Sequence, residues 1–168
     1  GNVETSQCIV DALFCAFGKL AASQGTNNNF TFGDEQYQYY ETICGGAGAG
    51  LGFDGADATQ VHMTNSRLTD PEILETRYPV RLNEFYIREN SGGLGKFKGG
   101  NGVVRNIEFL RPMNAAIISG HRVVKNAGIQ GGKDSERGKN YVLKADGSRI
   151  ELKSCDQHAM QVGDCFVV

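Results

Sequence analysis

The sequence predicts an α+β fold: one long buried helix and a short helix in the first half, and a β-rich second half built of antiparallel or mixed sheets. Three observations predict it. Apolar side chains recur at helical spacing over residues 6–23. Asp70-Pro71-Glu72 has the chemistry of a helix start. From residue 82 onward the apolar runs are short, rich in β-branched and aromatic residues, and bounded by Gly, Asn and Asp.

Taken in order, Thr5 or Ser6 can cap the first helix, and Glu4 suits its positive end. Ile9, Leu13, Phe17 and Leu20 form one apolar stripe and Val10, Phe14 and Ala21 a second, so the helix is expected to lie between layers. Residues 24–29, with three asparagines, read as a polar loop. Phe30-Thr31-Phe32 opens a strand and residues 37–44 form another, with Tyr39, Glu41 and Ile43 on one face and Tyr40, Thr42 and Cys44 on the other. A glycine-dense loop follows at 45–52. The short helix runs from the Asp70 cap to about Arg77, and Pro79 ends it. Strands are expected near 82–89, 102–110, 114–124, 140–145, 149–153 and 164–168, with Asp146-Gly147 as a two-residue hairpin. The glycine-rich linker at 91–100 divides the chain into a helix-containing part, 1–90, and a β-rich part, 91–168, expected to be pieces of one fragment rather than independent domains. A first residue other than Met and a last run of Phe166-Val167-Val168 are what a segment of a longer chain would show.

The chain of 168 residues carries 17 basic and 19 acidic side chains, so nothing in its balance draws nucleic acid or anionic lipid. No window approaches the roughly 18 apolar residues of a membrane helix, and no signal-peptide pattern opens the chain. The five cysteines lack the spacing of a zinc site. They read as reduced thiols of a reducing compartment, with a cytoplasmic location expected. Cys8 and Cys15 share a helix face and are expected to pack as small hydrophobes. Cys44 beside Gly45-Gly46 is the best candidate for a catalytic thiol, should there be one.

Few motifs carry chemistry. The loop at 45–52 lacks the Lys-Ser/Thr of a P-loop and the following helix of a dinucleotide loop, so it reads as backbone packed closely on backbone or on a ligand. The stretch His62-Met63-Thr64-Asn65-Ser66-Arg67 is the most site-like. His62 could act as acid, base or ligand, and Asn65 and Arg67 could hold a carboxylate or polarise a carbonyl. A structural hydrogen-bonding role is the alternative for all three. Glu41, if it faces inward, must be paired or used. His121-Arg122 reads as a solvated strand end, His158 as part of a polar surface connection, and Lys96, Lys98, Arg105, Arg111, Arg122 and Lys125 as a solvated basic face.

Several blocks, in order, carry a family resemblance: Gly1-Asn2-Val3-Glu4-Thr5-Ser6-Gln7, Asn28-Asn29-Phe30-Thr31-Phe32-Gly33, Tyr39-Tyr40-Glu41-Thr42-Ile43 with Gly45-Gly46, His62-Met63-Thr64-Asn65-Ser66 leading to Pro71, Glu72, Tyr78 and Pro79, and Ser91-Gly92-Gly93 leading to Lys98-Gly99-Gly100-Asn101-Gly102-Val103-Val104-Arg105. Together they resemble the hydantoinase B half of the hydantoinase/5-oxoprolinase family, over nearly the whole chain. The resemblance implies a later part of a much longer polypeptide that opens small cyclic amides, 5-oxoproline to glutamate being the family reaction. It implies that ATP belongs to a hydantoinase A-type partner half of actin-like fold, fused or separate, and that a divalent metal is held by an earlier region. This segment would bind neither cofactor and would be inactive alone, within a self-associating parent. By the same resemblance Glu41, His62, Asn65 and Arg67 face the shared active chamber. Cys44 stands where relatives often carry glycine, which weakens its case as a nucleophile. An acetone-carboxylase-like subunit, or a scaffold and docking module without catalytic residues, are the alternatives.

Overall fold

The computed structural model describes residues 3–26 and 28–168 of the chain. Two antiparallel sheets hold the core between them. The first has four strands: β1 (Asn28–Gly33), β2 (Gln38–Ile43), β5 (Met113–Ile118) and β8 (Cys155–Met160), in the order β2-β1-β5-β8. The second has five: β3 (Val80–Ile87), β4 (Val103–Phe109), β6 (Asn140–Leu143), β7 (Arg149–Leu152) and β9 (Cys165–Val167), in the order β3-β4-β9-β6-β7. Each sheet takes strands from both sides of residue 90. β1 recruits β5 from far along the chain, with Phe30 opposite Ile117.

The core is the contact between the inward faces. Phe30 on β1 meets Phe166 on β9 with ring centres 4.8 Å apart. Phe32 stands edge-on to Phe109 of β4 at 5.4 Å. Tilted and edge-to-face rings of this kind add roughly 0.5–1.5 kcal/mol per pair beyond the area they bury. Ile107, Ile117, Met160 and Leu74 close the cluster. Leu74 comes from α2 (Pro71–Arg77), which begins as its sequence predicts: the Asp70 carboxylate accepts the Glu72 N–H, and Pro71 occupies the first turn. The β6–β7 hairpin forms at Asp146-Gly147, with Gly147 at φ +83, but its connection is longer than the two residues expected, since the strand pairing ends at Leu143 and Arg149 and Gly147 donates back to the Lys144 carbonyl.

The first helix differs from its expected extent and surroundings. α1 spans Val3–Ala16 rather than 6–23, because Gly18 at φ +62 turns the chain out of the helix. Thr5 and Ser6, expected as its cap, sit inside its first turn, and residues 1 and 2 lie outside the described residues. Nor is it buried. Ile9, Leu13 and Phe17 are exposed, while the polar Gln7 is fully buried. The helix docks through its polar side. Gln7 Nε2 donates to the Val61 carbonyl at 3.0 Å and to the Thr64 hydroxyl, and its Oε1 accepts the Met63 N–H. Two apolar stripes in sequence were therefore no measure of two buried faces. Cys8, expected as a packed hydrophobe, is exposed and reaches the Gly25 carbonyl.

Three further readings need correction. Asn28 and Asn29, assigned to a loop, begin β1, and residue 27 between them and Thr26 lies outside the described residues. β5 stops at Ile118, well short of 124, because Gly120 packs against Thr26 and His121 enters the left-handed region at φ +56. β8 was missed. It is an edge strand that exposes Cys155, Gln157 and Ala159 and buries only Met160, and His158 lies on it opposite Ala115.

The glycine-rich segments form an interlock of backbone against backbone. A Cβ on Gly46 would sit 2.0 Å from the Gly100 carbonyl oxygen, and one on Gly48 1.8 Å from that of Ala21. The N–H of Gly100 donates to Ala47 and that of Ala47 to Ala56. Gly46→Ala should therefore destabilise the chain by roughly 1–3 kcal/mol or more, the range for overpacking. Gly102→Ala, with nothing nearer than 3.8 Å, should be neutral or slightly stabilising. Urea-denaturation midpoints check the pair, and equal midpoints for both variants would refute the interlock.

Candidate functional site

Glu41 does face inward, on β2, and it is paired. Arg105 of β4 approaches it as a fork, with Nε 2.6 Å from Oε1 and Nη2 3.0 Å from Oε2. Both side chains are almost wholly buried, at 1% and 2% exposure. The Tyr39 hydroxyl donates to Oε2 at 2.8 Å, and Phe85 lies 5.3 Å beneath the guanidinium. Burial, followed by the Glu41 charge, drives the Tyr39 phenol far above its ordinary range. Arg105 is thus not part of a solvated basic face. It shares the inward face of β4 with Ile107 and Phe109, an alternation visible in the sequence.

His62 is held as firmly. Its Nε2 lies 3.1 Å from Asp11 Oδ1 and 2.8 Å from Ser23 Oγ, while Ser23 donates both its N–H and its hydroxyl to the same Asp11 oxygen. The ring sits 5.9 Å from Phe14, and the residue holds a left-handed backbone at φ +55. Ser, His and Asp meet here, but not as a hydrolytic triad. That arrangement needs serine on one ring nitrogen and carboxylate on the other, whereas both partners here share Nε2. The cluster ties α1 to the 61–64 segment. Asn65 and Arg67 follow on the exposed surface. The structure does not gather Glu41, His62, Asn65 and Arg67 around one cavity.

A cavity does exist elsewhere. A cleft of about 450 Å³ opens between the 45–51 loop, the 91–104 segment and the 120–139 loop. That is the size range of small-molecule sites. None of the four residues above lines it. Its charged lining is Arg88, Lys96, Arg122, Lys133, Lys139 and Arg149 against one carboxylate, Glu136, which is bound to Lys125 at 3.0 Å. Arg122 is no solvated strand end. It hydrogen-bonds Asn140 Oδ1 through Nε and Nη2, and Asn28 Oδ1 and the Gly120 carbonyl through Nη1. Burial, and then the neighbouring Arg88, brings it down to about 10. His121 beside it is pushed below its ordinary value, mainly by burial. Gln24 and Asn126 on the same wall each keep a buried amide oxygen without a donor among the described residues.

Cys44 lines the cleft, but burial pushes its thiol up, away from the reactive thiolate. All five cysteines are free thiols. Among the described residues no three His, Cys, Asp or Glu side chains converge as a metal ion requires. In the 45–52 loop Gly46 and Gly48 press on protein backbone, and Gly45 and Gly50 on the Gln24 and Phe53 side chains. No helix among the described residues is long and apolar enough to cross a membrane.

Comparison with known proteins places this geometry. All of the chain, residues 1–168, matches the hydantoinase B/oxoprolinase family. The chain belongs to that family. The 5-oxoprolinase of Dictyostelium discoideum is 54% identical over 168 residues, covering 100% of this chain and 13% of that protein. 5-Oxoprolinase 1 of Arabidopsis thaliana is 49% identical with the same coverage. The chain therefore spans about 13% of the length of these curated relatives. Among solved structures, a nucleotide-free ATP-dependent acetone carboxylase shares the fold with a TM-score of 0.73 at 17% identity, over 88% of this chain and 25% of that one. The ATP-dependent caprolactamase of Pseudomonas jessenii does so with a TM-score of 0.63 at 20% identity, over 89% and 28%.

Two outcomes test the site as described. Removing one member of the Glu41–Arg105 pair strands a buried charge, at about 3–5 kcal/mol. Glu41→Leu or Arg105→Met alone should lower stability by that order, and the double variant should regain most of it in a denaturation cycle. Single variants within about 0.5 kcal/mol of the native chain would contradict the pair. A thiol reagent at neutral pH should modify Cys8 and Cys155 quickly and Cys44 and Cys165 only on unfolding. Rapid loss of the Cys44 thiol in the folded chain would restore it as a nucleophile.

Proposed function

We propose that this chain is one portion of an ATP-dependent enzyme that opens small cyclic amides, with 5-oxoproline hydrolysed to glutamate as its reaction. The observation that carries the reading is the 54% identity to a 5-oxoprolinase across all 168 residues. A ring amide is a poor electrophile, and coupling its opening to phosphoryl transfer supplies the missing driving force. ATP belongs in this reading to a hydantoinase A-type half, fused or separate, and a divalent metal to another region of the parent. This portion contributes chamber wall, and turnover requires the rest. Asn65 and Arg67, exposed on the segment after His62, are the residues of the sequence-predicted set free to face a substrate or a neighbouring region.

A second reading is favoured by one observation: the higher TM-score, 0.73, is to an acetone carboxylase rather than to a lactamase. At 17% identity that likeness concerns the fold, and the full-length identity to 5-oxoprolinases outweighs it. A third reading, a scaffold without reacting groups, draws on the commitment of Glu41 and His62 to structural partners.

The parent enzyme should hydrolyse ATP in response to 5-oxoproline. Stimulation by a ketone or another substrate, with none by 5-oxoproline, would reject the first reading. In the same parent, Arg67→Ala should lower kcat/KM by about tenfold or more, the factor of one charge-assisted hydrogen bond. Turnover at the native level in both Arg67→Ala and His62→Ala would favour the scaffold.

A further inference from the structure

The cationic cleft is unassigned by anything above. Its composition is anomalous for a chain whose net charge is −2. Arg122 is the anomaly within it. A guanidinium offers five N–H donors. Four of these are met by two asparagine side chains and one carbonyl, none of them charged. Arg88 stands close enough to repel it, and its own hydrogen bond goes to the Arg137 carbonyl at 2.8 Å. Two arginines therefore share a half-buried wall on which Arg122 has no carboxylate partner among the described residues, and Glu136, which is paired with Lys125, acts on Arg88 only through its field. Like charges held together in a partly desolvated cleft raise the energy of the unliganded protein, and an anion between them relieves it. The asparagines fix the fork. Asn140 also donates to Ser119 Oγ and the Lys153 carbonyl, and Asn28 Nδ2 reaches the Ile43 carbonyl, so the amides that orient Arg122 are themselves anchored.

We propose that this cleft is an anion-binding site with Arg122 as its anchor and Arg88 beside it, and that its ligand is a small carboxylate. Given the function proposed above, on which this identification rests, that carboxylate is the one on the 5-oxoproline ring. Arg122 has one N–H left to give to one carboxylate oxygen, and Arg88, which gives one hydrogen bond to the Arg137 carbonyl, has further donors for the other. A volume of about 450 Å³ admits a five-membered lactam with room to spare. Arg122 then binds and positions the substrate. Its discrimination against the same ring without a carboxylate follows, since that ring leaves the arginine pair unrelieved.

The full-length parent tests this by calorimetric titration without ATP, using 5-oxoproline and 2-pyrrolidone, the same lactam without the carboxylate. The native parent should bind 5-oxoproline about tenfold or more tightly than 2-pyrrolidone, the factor one charge-assisted contact supplies. The preference should shrink at high salt. Arg122→Met should abolish it, and Arg122→Lys should keep part of it. Arg88→Met, whose side chain supports only one carbonyl, keeps the test open if Arg122→Met does not fold, and should weaken 5-oxoproline binding by a smaller factor. Native affinity in Arg122→Met, or in both Arg122→Lys and Arg88→Met, overturns the proposal. So does a fall in melting temperature for Arg122→Met without a change in affinity, which would mean that the arginine only holds Asn28, Asn140 and Gly120 together. If the parent's ATP hydrolysis ignores 5-oxoproline, it is the reaction assigned above that fails. The site is then probed with acetate and inorganic phosphate: saturable binding lost in Arg122→Met sustains it, and no binding of either overturns it.

Discussion

The bidentate pair between Glu41 and Arg105 is the constraint around which the rest of the structure is arranged. It joins the two sheets, β2 of one to β4 of the other, in a place where neither charge retains water. A pair so buried is no great source of net stability, because desolvation offsets much of the attraction. Its effect is geometric. Only one register of β2 against β4 satisfies both carboxylate oxygens, the Tyr39 hydroxyl and the Phe85 face at once. The segments it fixes lead directly to the cleft: Cys44 and the glycine loop follow β2, and Val103 and Val104, which line the cleft, immediately precede Arg105.

The glycine interlock carries that alignment outward. Where Gly46, Gly48 and Gly100 admit no side chain, loop backbones lie in van der Waals contact and exchange hydrogen bonds. Loops normally move more than the elements they connect, but these are knitted to one another and to residues 21–24. A rigid rim is what a binding cleft needs if its charged groups are to stay close together against their own repulsion. The two networks therefore divide the work: a buried pair with matched charge sets the frame, and an unmatched group of cations on that frame is left to recognise something.

Much of the fold was legible in the sequence because local chemistry decided it. The Asp70-Pro71-Glu72 start of α2 and the Asp146-Gly147 hairpin depend on neighbours one to three residues away. So does the sharing of one strand face by Tyr39, Glu41 and Ile43, although strand alternation left open whether that face points inward. What failed was decided at long range. α1 looked buried because apolar spacing reports only a helix's own surface, while the partners that dock it, through Gln7 and Asp11, lie near residues 23 and 61–64. Gly18 was a stop signal that could have been read. β8 carries too few apolar residues for its pattern to show, being an edge strand. Arg105 was misread by type: counted as a charge, it went to the surface, although its spacing to Ile107 and Phe109 placed it inside. Of the candidate site, Glu41 and His62 were found as unusual residues, but their partners were not, and the cleft was not. Arg88 and Arg122 are 34 positions apart and meet only because β5 ends early and the 120–139 loop folds back over the 91–104 segment.

Crystals of the full-length parent grown with 5-oxoproline offer the most direct check. The predicted density places the ring carboxylate within hydrogen-bond distance of the Arg122 guanidinium, with Glu41 still forked on Arg105 as it is here. A ligand bound elsewhere while a protein carboxylate occupies Arg122 would contradict the assignment of the cleft, and Glu41 released from Arg105 and touching the ring would contradict the structural role of the pair.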